Sequence, residues 1–579
     1  MCGIAGFSLI AENKSLTKRF LNLKKSLIHR GPDGYGFYEK KKINLIHTRL
    51  SIVDLKQGYQ PIKNKNLVLV ANGEIYNDLE IRKKYSNYRF KTNSDSESIL
   101  AVYKNKGIEG FKELRGMYAF AIYNEEKDEM IISRDEFGIK PLYFTVFDQG
   151  LIFCSELNSL KNVTPNLPSL NINKVVEQLQ YQYCTGNKTI YRSLNRVRPG
   201  ETLIIKNGRI KESKFRKLEV KRNVTISESF LKKNVIETVR YHLRSEVPYC
   251  LFLSGGIDSM LLLYCIIELN LKNITAFTMN VSEKKNYNFK QICLANNIKL
   301  KELSFSENDF WDLIFLAAEK IDEPVADYAI LPTLKLSKNA SEEFKVVITG
   351  EGGDELFGGY GRYKKVKRFL FKGRDLKETF KSRNFFKKLQ IRNNDFKNKT
   401  HYFEYKNITK LQKKQLFDYK NWLPNDLLVK LDRCLMAFSL EGRTPFIDKN
   451  MFKEFFFAED SLKIRSGFGK FYIRKFLKKN LKNYDSFSPK KGFTIPISEW
   501  IPKKIDLIKE NLLKLDFLLL FFTEKEINFL CDKVKKNKKM AKSIWHIIFF
   551  SSWYLVHIEG LKDRGNYFDV LKKRNEFKK

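Results

Sequence analysis

The spacing of apolar residues changes along the chain, and this change divides it into two halves. Up to about residue 160, apolar runs such as NLVLVANGEIYN, MYAFAIYNEEKDEMIISRD and PLYFTVFDQGLIFCSE are interrupted by turn-forming pairs, which is typical of β-hairpins. Between about 160 and 225 the pattern predicts one helix and another hairpin, ETLIIKNGRIKESKF. The first half is therefore predicted to be an α+β unit with many short strands.

The second half alternates strands with helices. After a linker around KLEVKRNVTISES, a helical period is followed by the strand YCLFL, the helix SMLLLYCIIEL, the strand ITAFTM, the helix NFKQICLANNI and the strand KVVIT. This order indicates a parallel, doubly wound sheet. From about residue 355 onward the pattern is almost wholly helical.

The length of 579 residues is too great for one core, so at least two domains are expected. The most apolar stretch, SIWHIIFFSSWYLVHIEG, is interrupted by Ser551, Ser552 and His557, so it predicts a buried helix rather than a membrane span. The first residues lack the basic segment of a secretory signal. We therefore expect a cytoplasmic protein without a membrane partner.

The net charge of +40 raises the question of a nucleic-acid partner. The lysines are spread throughout the chain, however, and their densest run, RYKKVKRFLFKGRDLKETFKSRNFFKKLQIRNN, suits a solvated helical face better than a nucleic-acid surface. A nucleic-acid partner is therefore not expected, although it remains an alternative.

The eight cysteines are scattered, and none forms the CxxC spacing of a zinc or redox site. They fit reduced thiols in a cytosolic protein. Only Cys2, in MCGIAGF, has an unusual position. It is either a packed residue of an N-terminal strand or a nucleophile exposed when Met1 is removed.

Two acidic, glycine-rich loops follow predicted strands. In LFLSGGIDS (251–259), backbone N–H groups would form an anion-binding concavity, and Asp258 implies a divalent cation between itself and a phosphate. The second loop, TGEGGDELFGGY (349–360), places Asp354 to be a second metal ligand. The alternative is a pair of ordinary strand-to-helix turns, and the Walker motif GxxxxGK[ST] is absent.

These loops, together with DEPVAD, LPNDLLVKLDRCLMAFSLEGRTPFID and GKFYIRKFL…SPKKGF, resemble the synthetase half of glutamine-hydrolysing asparagine synthetases. MCGIAGF resembles the start of the class II glutamine amidotransferase domain. The resemblance implies an Ntn-hydrolase-type four-layer αββα sandwich over residues 1–215. It implies an ATP-pyrophosphatase domain, with a parallel sheet and a largely helical C-terminal part, over residues 216–579.

In the first domain the resemblance implies a Cys2 nucleophile. The α-amino group of Cys2, with an ordinary pKa of about 8, would be the general base. HRGPDG (29–34) resembles a loop near the nucleophile, and Asn72 and Gly73 would form the oxyanion hole. Glutamine would be bound by Arg49, Leu50, Ser51, Ile52, Val53, Asn72, Gly73, Glu74 and Asp95. Taken singly, Asn72-Gly73 would be a hairpin turn, Arg49 a surface residue and Asp95 a helix cap.

In the second domain the resemblance implies an ATP and Mg²⁺ site. ATP would be bound by Leu253, Ser254, Gly255, Gly256, Asp258, Ser259, Met279, Thr349 and Gly350, and Mg²⁺ by Asp258 and Asp354. Glu351 would assist adenylate formation or ammonia attack. Lys490 would neutralise phosphate charge, with Lys491 as the alternative. Thr444 and the segment NVSEKKNYNFKQ depart from the family pattern near regions that would influence the acceptor.

The implied reaction is ATP-dependent amidation of aspartate to asparagine through a β-aspartyl-adenylate, with ammonia delivered from glutamine. AMP, pyrophosphate and glutamate would be released. The alternatives are a paralogous amidotransferase that acts on another carboxylate, such as a sugar acid, and an RNA-binding or RNA-modifying protein. The resemblance also leaves open a homodimer.

Overall fold

The computed structural model describes residues 2–221, 226–281, 289–364, 366, 378–380, 386–390, 405, 407–488 and 495–577. Lys490, Lys491 and Met1 lie outside the described residues. So do most of the basic run between 362 and 394 and part of the segment NVSEKKNYNFKQ.

The first half contains two six-stranded sheets. One has the strand order β10-β8-β9-β1-β3-β2 and the other β12-β11-β7-β6-β5-β4, with every described pairing antiparallel. The strands are β1 (Gly3–Leu9), β2 (Gly34–Lys40), β3 (Ile43–Arg49), β4 (Ile62–Asn64), β5 (Leu67–Ile75), β6 (Gly116–Asn124), β7 (Glu129–Arg134), β8 (Tyr143–Phe147), β9 (Gly150–Cys154), β10 (Asn195–Arg196), β11 (Glu201–Lys206) and β12 (Arg209–Phe215).

The alternation of apolar side chains along each strand builds four layers. Ile4 of β1 and Val68 of β5 belong to a core cluster between the sheets. Their neighbours Phe7 and Leu69 face outward against helices. The helices of this half are α1 (Lys14–Leu21), α2 (Leu23–Leu27), α3 (Asp78–Lys84), α4 (Glu97–Lys106), α5 (Leu157–Val163) and α6 (Ile172–Tyr181). The predicted αββα sandwich is confirmed.

The second half is built on a parallel five-stranded sheet with the order β15-β14-β13-β16-β17. Its strands are β13 (Tyr249–Phe252), β14 (Thr275–Asn280), β15 (Lys299–Ser304), β16 (Val346–Ile348) and β17 (Glu441–Arg443). The helices up to the second glycine-rich loop are α7 (Glu228–His242), α8 (Ile257–Glu268), α9 (Phe289–Ala295), α10 (Glu307–Asp312), α11 (Ile314–Lys320), α12 (Ile330–Ser341) and α13 (Gly353–Phe357). The predicted parallel sheet is confirmed.

Helices dominate the remainder of the chain. They are α14 (Gly361–Lys364), α15 (Lys410–Phe417), a π-helix (Asp418–Leu427), α16 (Leu428–Met436), α17 (Lys449–Phe455), α18 (Asp460–Lys463), α19 (Phe471–Asn480), α20 (Ile497–Lys503), α21 (Ile505–Leu513), α22 (Glu524–Lys536), α23 (Ala541–His557) and α24 (Tyr567–Phe577), with a short hairpin of β18 (Ile464–Arg465) and β19 (Phe468–Gly469). The apolar helix α23 is buried along most of its length. Over the described ranges, no helix is long and apolar enough to cross a membrane.

Two local expectations differ from the structure. Asn72-Gly73 is not a hairpin turn, because β5 continues through both residues and Gly73 pairs with Tyr118 of β6. A Cβ on Gly73 would lie 1.9 Å from the Met117 carbonyl oxygen, so glycine is required by close strand approach. The region after 355 is largely helical as predicted, but the short strand β17, which completes the parallel sheet, was not predicted.

Buried ion pairs join the two halves. Arg30 Nη2 donates to Asp432 Oδ1 at 3.0 Å, and Arg115 Nε donates to Asp448 Oδ2 at 2.8 Å. All four side chains are almost completely buried. The halves therefore share a charged, desolvated interface.

Candidate active sites

Cys2 lies immediately before β1 at the point where the sandwich meets the second half. Its carbonyl oxygen accepts a hydrogen bond from Arg30 Nε at 3.1 Å, which places the HRGPDG loop beside it. A Cβ on Gly3 would lie 2.7 Å from Thr48 Oγ1, so the backbone next to the thiol is tightly enclosed. Burial raises the pKa of the Cys2 thiol, although the Leu50 amide and the Arg49 charge oppose this. A thiol in this state needs a base to become a nucleophile.

Asn72 connects β5 to the cysteine. Its Oδ1 accepts a hydrogen bond from the Cys2 backbone N–H at 3.1 Å. Its Nδ2 is buried and has no hydrogen-bond partner among the residues described. A buried amide donor without a partner carries a desolvation cost, so this donor is available for an acceptor such as an oxyanion.

Glu74 and Asp95 place two buried carboxylates close together. Asp95 Oδ2 accepts a hydrogen bond from the Ile75 amide at 2.6 Å, and burial raises the pKa of Asp95 to about 6. Burial and the neighbouring Asp95 also raise the pKa of Glu74 well above its ordinary value. Glu74 Oε1 has no hydrogen-bond partner within the described ranges. This environment would stabilise a bound ammonium group.

Arg49 and the segment after it lie beside the cysteine and the domain interface. Arg49 Nη2 donates to the Asp54 carbonyl at 2.6 Å, and its guanidinium lies 4.5 Å from the centre of the Tyr59 ring. The Ser51 amide donates to Asp33 Oδ2 at 2.7 Å. The side chains of Leu50, Ile52 and Val53 belong to an apolar cluster with Val346 of β16, so they also connect the two halves.

The two acidic, glycine-rich loops of the second half enclose a cavity of about 750 Å³. The predicted residues that line it are Leu253, Ser254, Gly255, Gly256, Asp258, Ser259, Met279, Thr349, Gly350, Glu351 and Asp354. The structure thus brings together every described residue that the sequence predicted for ATP and metal binding. Thr349 Oγ1 is buried and has no partner in the described part of the chain, so it is available to a ligand.

Asp258 and Asp354 meet at a third residue, Lys470. The Lys470 ammonium lies 2.6 Å from Asp354 Oδ1 and also forms an ion pair with Asp258. A Cβ on Gly353 would lie 2.3 Å from Asp258 Oδ1, so only glycine allows the two loops to approach this closely. Burial favours the neutral amine, but the two carboxylates raise the pKa of Lys470 above its ordinary value.

The donor set at this point fits Mg²⁺. The carboxylates of Asp258 and Asp354 converge on the Lys470 ammonium. Mg²⁺ in proteins is usually bound by one or two carboxylates, and phosphate and water oxygens complete its coordination. Among the described residues, no group of three or more His, Cys, Asp or Glu side chains forms a denser metal cage. The site therefore suits an ion that arrives with a phosphate substrate.

Glu351 lies on the same cavity beside Lys430 of α16. Their Oε1 and Nζ atoms are 3.4 Å apart, and the same Nζ lies 3.1 Å from Asp327 Oδ2. Burial favours neutral Lys430, but Asp327 and Glu351 raise its pKa above the ordinary value. Lys430 is thus a second lysine on this cavity that lies between two carboxylates.

Three residues at these sites were not singled out by the sequence, namely Lys470, Lys430 and Arg30. Lys470 and Lys430 stand in the quoted motifs GKFYIRKFL and LPNDLLVKLDRCLMAFSLEGRTPFID, where a charge precedes or interrupts an apolar helical pattern. Arg30 stands in HRGPDG. An isolated charge within a buried pattern was the available signal, because such charges require partners.

Comparisons with known proteins give matches to both halves of the chain. Residues 1–216 match the model of the glutamine amidotransferase domain, and residues 231–555 match the asparagine synthase model. The chain is 27% identical over 622 residues to the glutamine-hydrolyzing asparagine synthetase 1 of Bacillus subtilis (strain 168). This match covers 96% of this chain and 97% of that protein. It is 32% identical over 390 residues to the glutamine-hydrolyzing asparagine synthetase B of Escherichia coli (strain K12), covering 62% of this chain and 65% of that protein.

Proposed function

This chain belongs to the glutamine-hydrolysing asparagine synthetase family, and we propose that it converts aspartate to asparagine with glutamine as nitrogen donor and ATP as activating substrate. Residues 1–215 would form the glutaminase domain and residues 216–579 the synthetase domain. The observation that carries the proposal is the cavity that joins both acidic glycine-rich loops. The eight unpaired cysteines suit the reducing cytoplasm, which we propose as its compartment.

Glutamine hydrolysis would begin at Cys2. With Met1 removed, the α-amine takes the thiol proton, and sulfur attacks the side-chain amide carbon of glutamine. Asn72 Nδ2 and the Gly73 N–H donate hydrogen bonds to the tetrahedral oxyanion. The C–N bond then breaks, the nitrogen takes up a proton and leaves as ammonia, and water hydrolyses the thioester to glutamate.

The glutamine main chain would be held by charge pairing. Glu74 and Asp95 accept hydrogen bonds from its ammonium group, and Arg49 donates to its carboxylate, with the segment Leu50–Val53 alongside. The unpartnered Glu74 Oε1 and the buried Asp95 support this arrangement. These contacts orient the amide carbon toward Cys2.

The synthetase domain would then activate the acceptor. An aspartate β-carboxylate oxygen attacks the α-phosphorus of ATP, and the bond to pyrophosphate breaks. Ser254, Gly255, Gly256 and Ser259 surround the phosphates, and Asp258 and Asp354 would hold Mg²⁺, which supplies charge neutralisation at the phosphate oxygens. Lys490, or its alternative Lys491, would neutralise phosphate charge, and Lys470, beside Asp258 and Asp354, would add a donor to the pyrophosphate oxygens.

Ammonia would complete the reaction by attacking the acyl carbon. AMP leaves because it is a much better leaving group than the oxygen of a free carboxylate. Glu351 accepts the proton that the new amide nitrogen loses, and Lys430 keeps this carboxylate in place. Leu253, Met279, Thr349 and Gly350 would enclose the nucleotide.

Incubation with glutamine, aspartate and ATP–Mg²⁺ tests the proposal. Asparagine, AMP and pyrophosphate should form in equal amounts. Glutaminase activity without formation of asparagine would show that aspartate is not the acceptor, and would favour another carboxylate, such as a sugar acid. The variant Cys2→Ala should lose glutamine-dependent synthesis and keep synthesis from free ammonia. Cys154→Ala, in a second buried cysteine of the same half, is the matched control and should keep both activities.

A further inference from the structure

Arg443, from β17 of the synthetase domain, extends its side chain into the glutaminase domain. Its Nη2 lies 3.3 Å from Glu74 Oε2, and its Nε donates to Glu441 Oε1 at 2.8 Å. Its Nη1 donates to the His242 carbonyl at 2.8 Å and to the Arg244 carbonyl. The side chain is completely buried. The guanidinium is thus held in one orientation by the synthetase domain while it faces a carboxylate of the other.

The backbone of Arg443 belongs to the nucleotide site. Its carbonyl oxygen accepts a hydrogen bond from the Thr349 N–H at 2.9 Å, at the end of the pairing between β17 and β16. Thr349 and Glu351 line the cavity proposed for ATP. One residue therefore contacts the nucleotide loop through its main chain and the glutamine site through its side chain.

Glu74 needs this partner because its surroundings oppose its ionisation. The charged groups around it are Asp95, Arg443, Glu441 and Arg244. Two of the four are acidic, and burial further favours the neutral acid. Arg443 Nη2 forms an ion pair with Oε2 without a hydrogen bond, and Oε1 is buried and has no hydrogen-bond partner among the described residues.

We propose that Arg443 is a positioning residue for glutamine, supplied by the synthetase domain, which favours the ionised form of Glu74 and orients it toward the substrate ammonium. This rests on the proposed function, since it assumes that glutamine binds at Glu74. The glutaminase site is then incomplete without the other domain. Glutamine binding and the loop around Thr349 depend on the same residue.

The test compares R443Q, R443K and the control R115Q in the full-length protein. Arg115 is also a buried interface arginine, but it pairs with Asp448 and Thr238 rather than with Glu74. Glutaminase kcat and KM are measured from pH 5.5 to 8.5, together with ammonia-dependent asparagine synthesis and thermal unfolding.

In R443Q we expect the KM for glutamine to rise about tenfold or more, because losing a buried charge partner shifts a carboxyl pKa by a unit or more. The acid limb of the pH profile of kcat/KM should shift to higher pH in R443Q and by a smaller amount in R443K. The rate of ammonia-dependent synthesis should be unchanged in both variants. R115Q should leave both the KM for glutamine and the acid limb of kcat/KM unchanged, even if it lowers the unfolding temperature.

The outcomes separate the two proposals. If the wild-type protein has no glutaminase activity, the proposed function fails. If it is active and R443K and R443Q leave the KM and the acid limb unchanged, the role of Arg443 is overturned. Equal losses of glutamine-dependent and ammonia-dependent synthesis with an unchanged KM would show a purely structural role. If R443Q does not fold, R443K decides by the same readouts.

Discussion

The ammonium of Lys470 lies 2.6 Å from Asp354 Oδ1, between that carboxylate and Asp258, at the position where the two acidic loops meet. Lys470 is itself almost completely buried and precedes α19 with a left-handed backbone, φ 56°. A protonated lysine therefore compensates two carboxylates beside the proposed phosphate site. It is placed to transfer its hydrogen bonds to a phosphate when a divalent cation binds the carboxylates.

Replacing Lys470 by methionine should abolish ATP-dependent synthesis and leave glutaminase activity intact. Removing a fixed donor at developing charge commonly costs about 10²–10³ in kcat, and here two part-buried carboxylates also lose their cation. The measurements are pyrophosphate release and glutamate release. Lys475→Met, on the exposed face of the same helix, should behave as wild type. Normal pyrophosphate release by the Lys470 variant would contradict the role.

The two atoms of the Asn72 side-chain amide can be tested separately. Asn72→Asp keeps an oxygen acceptor for the Cys2 nitrogen but removes the unpartnered Nδ2 donor, whereas Asn72→Ala removes both. If the donor stabilises the oxyanion, both variants should lose about 10²–10³ in glutaminase kcat with a modest change in KM. A large loss of glutaminase kcat in Asn72→Ala but not in Asn72→Asp would instead show that Asn72 acts by positioning Cys2.

Glutamine binding should weaken in mild acid. Burial raises the pKa of Asp95 to about 6, so this carboxyl takes up a proton as the pH falls through that value. Asp95 and Glu74 interact, so the observed limb belongs to the pair. Below about pH 6, kcat/KM for glutamine should fall about tenfold per pH unit. A profile that stays flat from pH 7 to 5 would exclude these carboxylates as the ammonium site.

Much of the fold was predictable because apolar periodicity reports directly on burial. The sandwich strands are apolar on both faces, since Val68 faces the other sheet and Leu69 faces helices, and the sequence shows them as continuous runs. β17 was missed because three residues, Glu441, Gly442 and Arg443, have no apolar pattern. They form a strand only because β16 provides a hydrogen-bonding edge.

The sites were predictable only where chemistry and local sequence coincide. The glycines and carboxylates of loops such as SGGIDS predict a phosphate-binding site. Lys470 and Arg443 form ion pairs with residues more than 100 positions away in the chain, Asp258 and Glu74, and no local pattern specifies such a pairing. For the same reason Asn72-Gly73 resembled a turn until its strand partner was known.

The interface should be sensitive to loss of Asp432. This carboxylate accepts hydrogen bonds from Arg30 and Arg433, both nearly inaccessible to solvent. In Asp432→Asn the two guanidinium groups would lose one of their two shared anions, the other being Glu156, at a cost of up to about 3–5 kcal/mol. Urea unfolding should show a lower midpoint, with the two domains unfolding in separate steps. Glu510→Gln, in an exposed pair with Lys514, is the control and should leave the midpoint unchanged.

His242 should make the domain interface unstable in acid. Its ring lies 4.0 Å from that of Tyr76 across the interface, and its Nδ1 lies 2.9 Å from the Thr238 carbonyl oxygen. Burial lowers the pKa of His242 to about 4, whereas an unfolded histidine has a pKa of about 6.5. Between these values the unfolded chain binds a proton that the folded protein does not. Folding stability therefore falls as the pH decreases from 6.5 to 4, by about 1.4 kcal/mol per pH unit from this residue.

The variant His242→Gln measures that contribution, because glutamine retains a polar side chain of similar length but does not titrate. Its free energy of unfolding should depend less steeply on pH between 6.5 and 4 than that of the wild type, by one proton. His29→Gln, which removes a histidine whose side chain is 37% exposed, is the control. Equal pH slopes for wild type and His242→Gln would mean that His242 is protonated within the folded interface, and that Asp448 outweighs the effect of burial.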